Sequence, residues 1–288
     1  MPNWVLNKFE VSGSPADINR LLTEVKGDES AFSFQKILPM PDTLRIVSGG
    51  STNFCILAYA LHPDTPQHIK REALAHGVEN PLAKYGIGST APANGVPINE
   101  LLPVIELYRK TKGQVGQDVV YDGSTSPDET FDSHAKFGKV YFENWKNYGT
   151  NDWYDWNVDR WGTKWDASDV EVGEPAISQS DPDSCSVHIE FQTAWSMPGG
   201  IFSELIKRHP ELEFAGVYAD EDIGSNCGVW GKSGGEFSAV PLSSNSRGDS
   251  IRFACEVWGY DPEEYFGDGD EEGGGADDAG ESEKSASS

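Results

Sequence analysis

Lys164 and Asp166 stand two residues apart beside the indoles of Trp161 and Trp165, in the stretch Trp161-Gly162-Thr163-Lys164-Trp165-Asp166. On an extended chain the side chains alternate, so the amine and the carboxylate share one face and Thr163 and Trp165 the other. An amine next to a carboxylate, walled by indole rings, can bind a polar ligand or move a proton in a partly dry pocket. The same residues can also form a buried ion pair that pins an aromatic segment, and this structural reading takes precedence. One further group comes from the start of the sequence. Removal of Met1 leaves Pro2 with a secondary amine, which acts as a base or imine-forming nucleophile when burial lowers its pKa. More commonly a proline in this place only starts a strand. The candidate ligand-binding set is therefore Trp161, Lys164, Trp165, Asp166 and Pro2, with no catalytic role assigned to any of them.

Other patterns carry less. His188-x-Glu190 is the front half of a zinc-deaminase signature, but its Pro-Cys-x-x-Cys half is missing, and a solvated strand face explains the pair. Asp220-Glu221-Asp222 lacks the spaced oxygen ligands and closing glutamate of a calcium loop. Gly86-Ile87-Gly88 lacks the third glycine of a dinucleotide fingerprint. Cys55, Cys185, Cys227 and Cys255 lie far apart with no CxxC, and the histidines show no metal-ligand spacing. No metal and no cofactor is expected.

The elements that must hold the candidates follow from periodicity. Val5, Phe9 and Val11 alternate with Leu6, Lys8 and Glu10 as a first strand, ended by Gly13. Ser14 caps a helix with Ile18, Leu21, Leu22 and Val25 on one face. A short strand with Phe32 and Phe34 completes a β-α-β opening over 1–42 that joins the main sheet. Residues 43–130 read as a helical and loop insertion. In it, 53–61 is a buried helix or strand, 67–76 and 98–110 are helical with Pro103 bending the second, and 85–96 is a loop. From Asp132, Phe137, Val140, Tyr141, Trp145 and Tyr148 recur at helical spacing until Gly149. Five of the nine tryptophans fall between Trp145 and Trp165, enough aromatic surface to anchor a core. Cys185, Val187, Ile189, Phe191 and Thr193 form the strongest strand pattern, with Trp195 continuing the apolar face. A helix with Ile201, Phe202, Leu205 and Ile206 follows, then a strand to Tyr218 and a hairpin strand at Gly228–Gly231. Arg252 to Trp258 is a last short helix or strand, and Asp261-Pro262 caps a final turn. The result is an α+β chain, an antiparallel sheet with helices packed on one face.

The chain carries 47 acidic against 22 basic residues, a formal charge of −25 and a pI near 4.4. Residues 267–288 hold eight acids and one lysine, reading as a disordered acidic tail and leaving −18 on the rest. Such a surface repels phosphate backbones, which weighs against direct nucleic-acid binding, and it suits a basic protein partner. No apolar run is long enough to span a membrane, and the opening residues do not read as a signal peptide. A reduced, cytoplasmic protein is expected.

Four stretches resemble a known family. They are Met1-Pro2-Asn3-Trp4 with Asn7, Asn157 with Trp161 to Asp166, Phe191 with Thr193-Ala194-Trp195-Ser196-Met197-Pro198, and Trp258-Gly259-Tyr260-Asp261-Pro262. Their order is similar to that in the YubB-like family of plasmid and phage proteins. Val5 departs from the family's pattern, which has a cysteine there, so no thiol role is assigned. Residues 43–130 have no counterpart. The resemblance implies a ferredoxin-like domain over 131–266 that includes the tryptophan-rich segment. It also implies carriage on a mobile genetic element in a bacterial host, and it supplies no catalytic residues. The expectation is an accessory protein of a phage or plasmid, a non-catalytic binding module for a host or element-encoded protein. The alternatives are a small enzyme or ligand-binding protein with a Trp/Lys/Asp pocket and Pro2, and an acidic mimic of nucleic acid.

Overall fold

A computed structural model of the chain describes residues 2–73, 76, 119–242 and 246–266. The helix expected at 98–110, the loop at 85–96, Gly86-Ile87-Gly88 and the tail at 267–288 lie outside the described residues. In chain order the elements begin with β1 (Trp4–Gly13), α1 (Pro15–Val25), α2 (Phe34–Ile37), α3 (Thr52–Leu61), α4 (Phe131–Tyr148) and α5 (Trp153–Arg160). Then come β2 (Ser168–Val172), β3 (Ala176–Ile177), β4 (Cys185–Ala194), α6 (Gly199–Arg208), β5 (Glu213–Asp220), β6 (Cys227–Ser233), β7 (Glu236–Pro241) and α7 (Arg247–Trp258). Two compact units result. One spans Leu38–Lys164, and the other joins the described residues before Leu38 to those after Lys164. The divisions fall at 37/38 and 164/165, so α4 and α5 belong with the helical residues of 43–130. The apolar stripe of α4 packs on α3 within this unit.

The sheet unit is the expected α+β fold, an antiparallel sheet in the order β2-β4-β1-β5-β6-β7 with β3 beside β4. β1 is central because both its edges are taken, with Asn7 opposite Phe191 on β4 and opposite Tyr218 on β5. Its odd residues Val5, Phe9 and Val11 are buried. The Phe9 ring meets Phe202 at 5.5 Å and Trp230 at 5.3 Å. Gly216 is required at this spot, because a Cβ there would lie 2.6 Å from both Phe9 and Trp230. α1 forms as its sequence predicts, with Pro15 in the first turn and Ser14 Oγ accepting the Asp17 N–H at 3.2 Å.

Two features differ from expectation. Phe32 and Phe34 do not form a strand; a bend leads into α2, and the opening is β-α-α. β1 has no edge left to pair with, and the two rings are buried in the helical layer instead. Phe32 stacks on Phe191 at 5.1 Å and Phe34 meets it edge-on at 5.6 Å. The second difference is the face that α7 covers: helix was one of the two readings of Arg252–Trp258, but it packs Ala254 and Val257 on Leu6, Ala219 and Cys227 of the other sheet face.

In the Leu38–Lys164 unit, α3 is apolar almost all round and accordingly buried, which decides for helix between the two readings of 53–61. It crosses α4 closely at Gly138, where a Cβ would collide with the Cys55 carbonyl. Ile56, Phe137, Tyr141 and Phe142 fill the core there. α4 ends, as its sequence predicts, on Gly149 at φ 82°.

Candidate functional site

The sequence-predicted site residues fall in both units. Trp161 and Lys164 belong to the Leu38–Lys164 unit. Trp161 is 2 % exposed, donates Nε1–H to the Leu38 carbonyl at 2.8 Å and meets Trp156 edge-on at 5.7 Å. Gly162 turns the chain at φ 88°, Thr163 is buried, and Asn157 Nδ2 donates to the Lys164 carbonyl at 2.9 Å. The Lys164 amine lies 5.8 Å from the centre of the Tyr154 ring, a cation–π arrangement.

Pro2, Trp165 and Asp166 belong to the sheet unit. Pro2 is half-buried and precedes β1. The Asp166 carboxylate holds a turn together. Its Oδ1 accepts from the backbone N–H of Phe34 at 2.7 Å and of Ala167 at 2.8 Å, and its Oδ2 accepts from Ser33 Oγ at 2.8 Å. With both oxygens engaged, Asp166 is placed to cap the start of α2. Trp165 turns outward. Its ring is 37 % exposed and lies 6.0 Å from that of Trp4.

Trp195 corrects the sequence reading. It does not continue the apolar face of β4, which ends at Ala194; Trp195 follows at φ 74° and is 40 % exposed. A non-glycine residue in this left-handed region costs roughly 1–2 kcal/mol. The surroundings hold it there. The Trp195 N–H donates to the Asn3 carbonyl at 2.9 Å, and the Trp195 carbonyl accepts from Asn226 Nδ2 at 3.0 Å. From within the sheet, buried Asn7 donates to Thr193 Oγ1 at 2.9 Å, and that hydroxyl donates to the Ser196 carbonyl at 2.8 Å. A large aromatic ring is thus held partly in water on a strained backbone braced by a buried polar relay.

The acidic turn after β5 closes on the same backbone. Asp220, only 5 % exposed, accepts through Oδ1 from Asn3 Nδ2 at 3.3 Å and from the Asp222 N–H at 2.9 Å. Glu221 and Trp4 exchange two bonds, Glu221 N–H to Trp4 O at 2.8 Å and Trp4 N–H to Glu221 Oε1 at 3.0 Å. Behind the turn, Trp258 Nε1 reaches the Ala219 and Asp220 carbonyls at 3.2 Å, and Tyr260 and Tyr265 continue its stack at 5.8 Å steps. Among the described residues the ion pairs of this unit lie elsewhere, for example at Lys8–Glu190, Arg20–Glu211, Lys232–Glu213 and Arg252–Asp249. Segments far apart in sequence thereby place exposed indoles and carboxylates at one end of the sheet. This arrangement brings aromatic faces and carboxylates, both of which attract cations, to the same strand ends.

Two other polar groups are internally committed. His188 pairs with Glu10 at 3.0 Å and Glu190 with Lys8 at 3.2 Å, across adjacent strands on a solvated face. In the Leu38–Lys164 unit a cavity of about 370 Å³ is lined by Tyr59, His62, Asp132 and Lys139. There His62 Nδ1 accepts the Asp64 N–H at 3.3 Å, which leaves Nε2–H to donate to Asp132 at 3.2 Å.

Residues 160–249 match the family model described as "Ferredoxin-like domain in Api92-like protein". Among solved structures the chain is similar to the crystal structure of protein api92 from Yersinia pseudotuberculosis, at 11 % identity and a TM-score of 0.35, over 83 % of this chain and 97 % of that one. No curated protein matches. A ferredoxin-like domain is therefore present, and among the described residues no helix is long and apolar enough to cross a membrane.

The sequence reading named Trp165 but did not group it with Trp4, Trp195 and the acidic turn. The available signal was the break in alternation at Trp195-Ser196-Met197-Pro198, which ends the strand one residue before the ring.

Proposed function

We propose that this chain is a non-catalytic accessory protein of a phage or plasmid that binds a basic host or element-encoded protein. The observation that carries this reading is the exposure of Trp165 and Trp195 beside the Asp220–Asp222 turn, on a chain of net charge −25. Exposed apolar rings with a maintenance cost favour an interaction surface over a structural one. An acid excess attracts basic partners and repels phosphate backbones. The mobile-element setting rests on the sequence resemblance alone. The test is affinity capture from bacterial lysate at moderate salt, followed by mass spectrometry. The expected result is a basic protein that is released as salt rises; capture of acidic proteins only, or of nothing, sinks the proposal.

A further inference from the structure

We infer that the end of the sheet built by Trp4, Trp165, Trp195 and the Asp220–Asp222 turn receives an arginine side chain from an extended segment of the basic partner. This rests on the proposed function and names its contact.

Three features point to that occupant. First, the apolar component is aromatic and outward-facing. Trp165 leans on Trp4 at 6.0 Å with a 43° tilt, and Trp195 stands on the neighbouring strand end, joined through Asn3. Indole is the strongest of the aromatic faces for a cation. Second, the carboxylates stand at the same two residues. Asp220 bonds the Asn3 side chain, and Glu221 bonds the Trp4 N–H. Each uses one named oxygen in doing so, and no described Lys, Arg or His forms an ion pair with Asp220, Glu221 or Asp222. A visiting cation would therefore complete the turn without displacing an internal one. Third, planar rings beside carboxylates suit a guanidinium better than an ammonium. Arginine stacks flat on indole while its fork donates in plane to carboxylate oxygens, whereas lysine presents a compact, strongly hydrated charge.

The fold supplies a clean test. At φ 74° glycine is the residue the backbone prefers, so Trp195→Gly removes the ring while relieving the turn. The full chain, Trp195→Gly, Trp165→Ala and Glu221→Gln would be titrated with a short arginine-rich peptide and its lysine counterpart. A variant charge-neutralised elsewhere, Glu171→Gln, serves as the control, with folding checked by circular dichroism. The expected result is tighter binding of the arginine peptide, weakened about tenfold by each ring or turn substitution and less than about twofold by the control. If all variants bind the arginine peptide alike, this surface is not the receptor, while the proposed binding of a basic partner survives. Equal affinity for the lysine peptide overturns the arginine assignment. If light scattering shows a dimer that Trp195→Gly dissolves, the occupant is a second copy of the chain and the inference fails. If the unaltered chain binds neither basic peptides nor a basic lysate protein, the proposed function falls first and takes this inference with it.

Discussion

Trp161 and Trp165 are four residues apart, yet one is an anchor and the other a display. In the Leu38–Lys164 unit Trp161 leaves 2 % of its surface in water, its ring meets Trp156, and its N–H is satisfied by the Leu38 carbonyl. In the sheet unit Trp165 and Trp195 remain 37 % and 40 % exposed, and the second is held there by a strained backbone. The hydrophobic effect explains the first without further argument. It does not explain the second pair, whose exposure forgoes that stabilisation while the turn beneath Trp195 costs free energy to maintain. A tryptophan-rich composition is therefore not one signal but two, separated by how much of each ring is buried.

Substitution should separate the two kinds of tryptophan most sharply. Trp161→Ala should cost about 3–5 kcal/mol by denaturant unfolding, the range for a fully buried aromatic. Trp165→Ala should stay within about 1 kcal/mol. Equal losses at the two positions would erase the distinction.

Two carboxylates, one in each unit, extend the comparison. Asp152 begins α5 with its side chain on the Tyr154 N–H. Burial, reinforced by the charge of Asp155, pushes its pKa up to about 6 from 3.8. The folded state thus holds a proton that the unfolded state has already released. The associated stability is complete below the unfolded value and disappears as pH rises through about 6. Asparagine keeps the cap without the charge. Asp152→Asn should therefore flatten the stability profile between pH 4 and 6 and stabilise the protein above pH 6 by at most roughly 3 kcal/mol. A profile unchanged in slope would show that Asp152 is not the buried charge described above. Removing the Asp166 side chain, whose oxygens accept three bonds, should instead weaken the fold. Asp166→Ala should destabilise by about 1–2 kcal/mol and speed amide exchange at Phe34. Unchanged exchange there would remove its role as the cap of α2.

The local elements were legible because each is enforced by its own residues. Ser14 and Pro15 start α1, Gly149 stops α4, and the alternation of 185–193 yields β4. Phe32 and Phe34 were misread because alternate burial needs only two inward rings. Whether the backbone between them pairs as a strand depends on a free sheet edge, and β4 and β5 occupy both edges of β1. Trp195 was misread for a related reason. Periodicity carries an apolar pattern forward, and it cannot register a backbone that turns left-handed one residue later. Of the candidate site, Trp165 was named as a pocket-lining ring, and its exposure and the proximity of Trp4 and Glu221 depend on the tertiary fold, the latter on pairing across 217 positions of sequence.

By itself, the sequence determined the charge, the helix caps, the strand alternation and the tryptophan-dense segment, all of which are properties of neighbouring residues. Only the tertiary structure decided which tryptophan is an anchor and which a surface, and which carboxylate caps a turn and which faces water. Those duties are set by what lies across the fold. Trp161 is buried with the Leu38 carbonyl to bond, while Trp165 lies beside the Trp4 ring with 37 % of its surface in water.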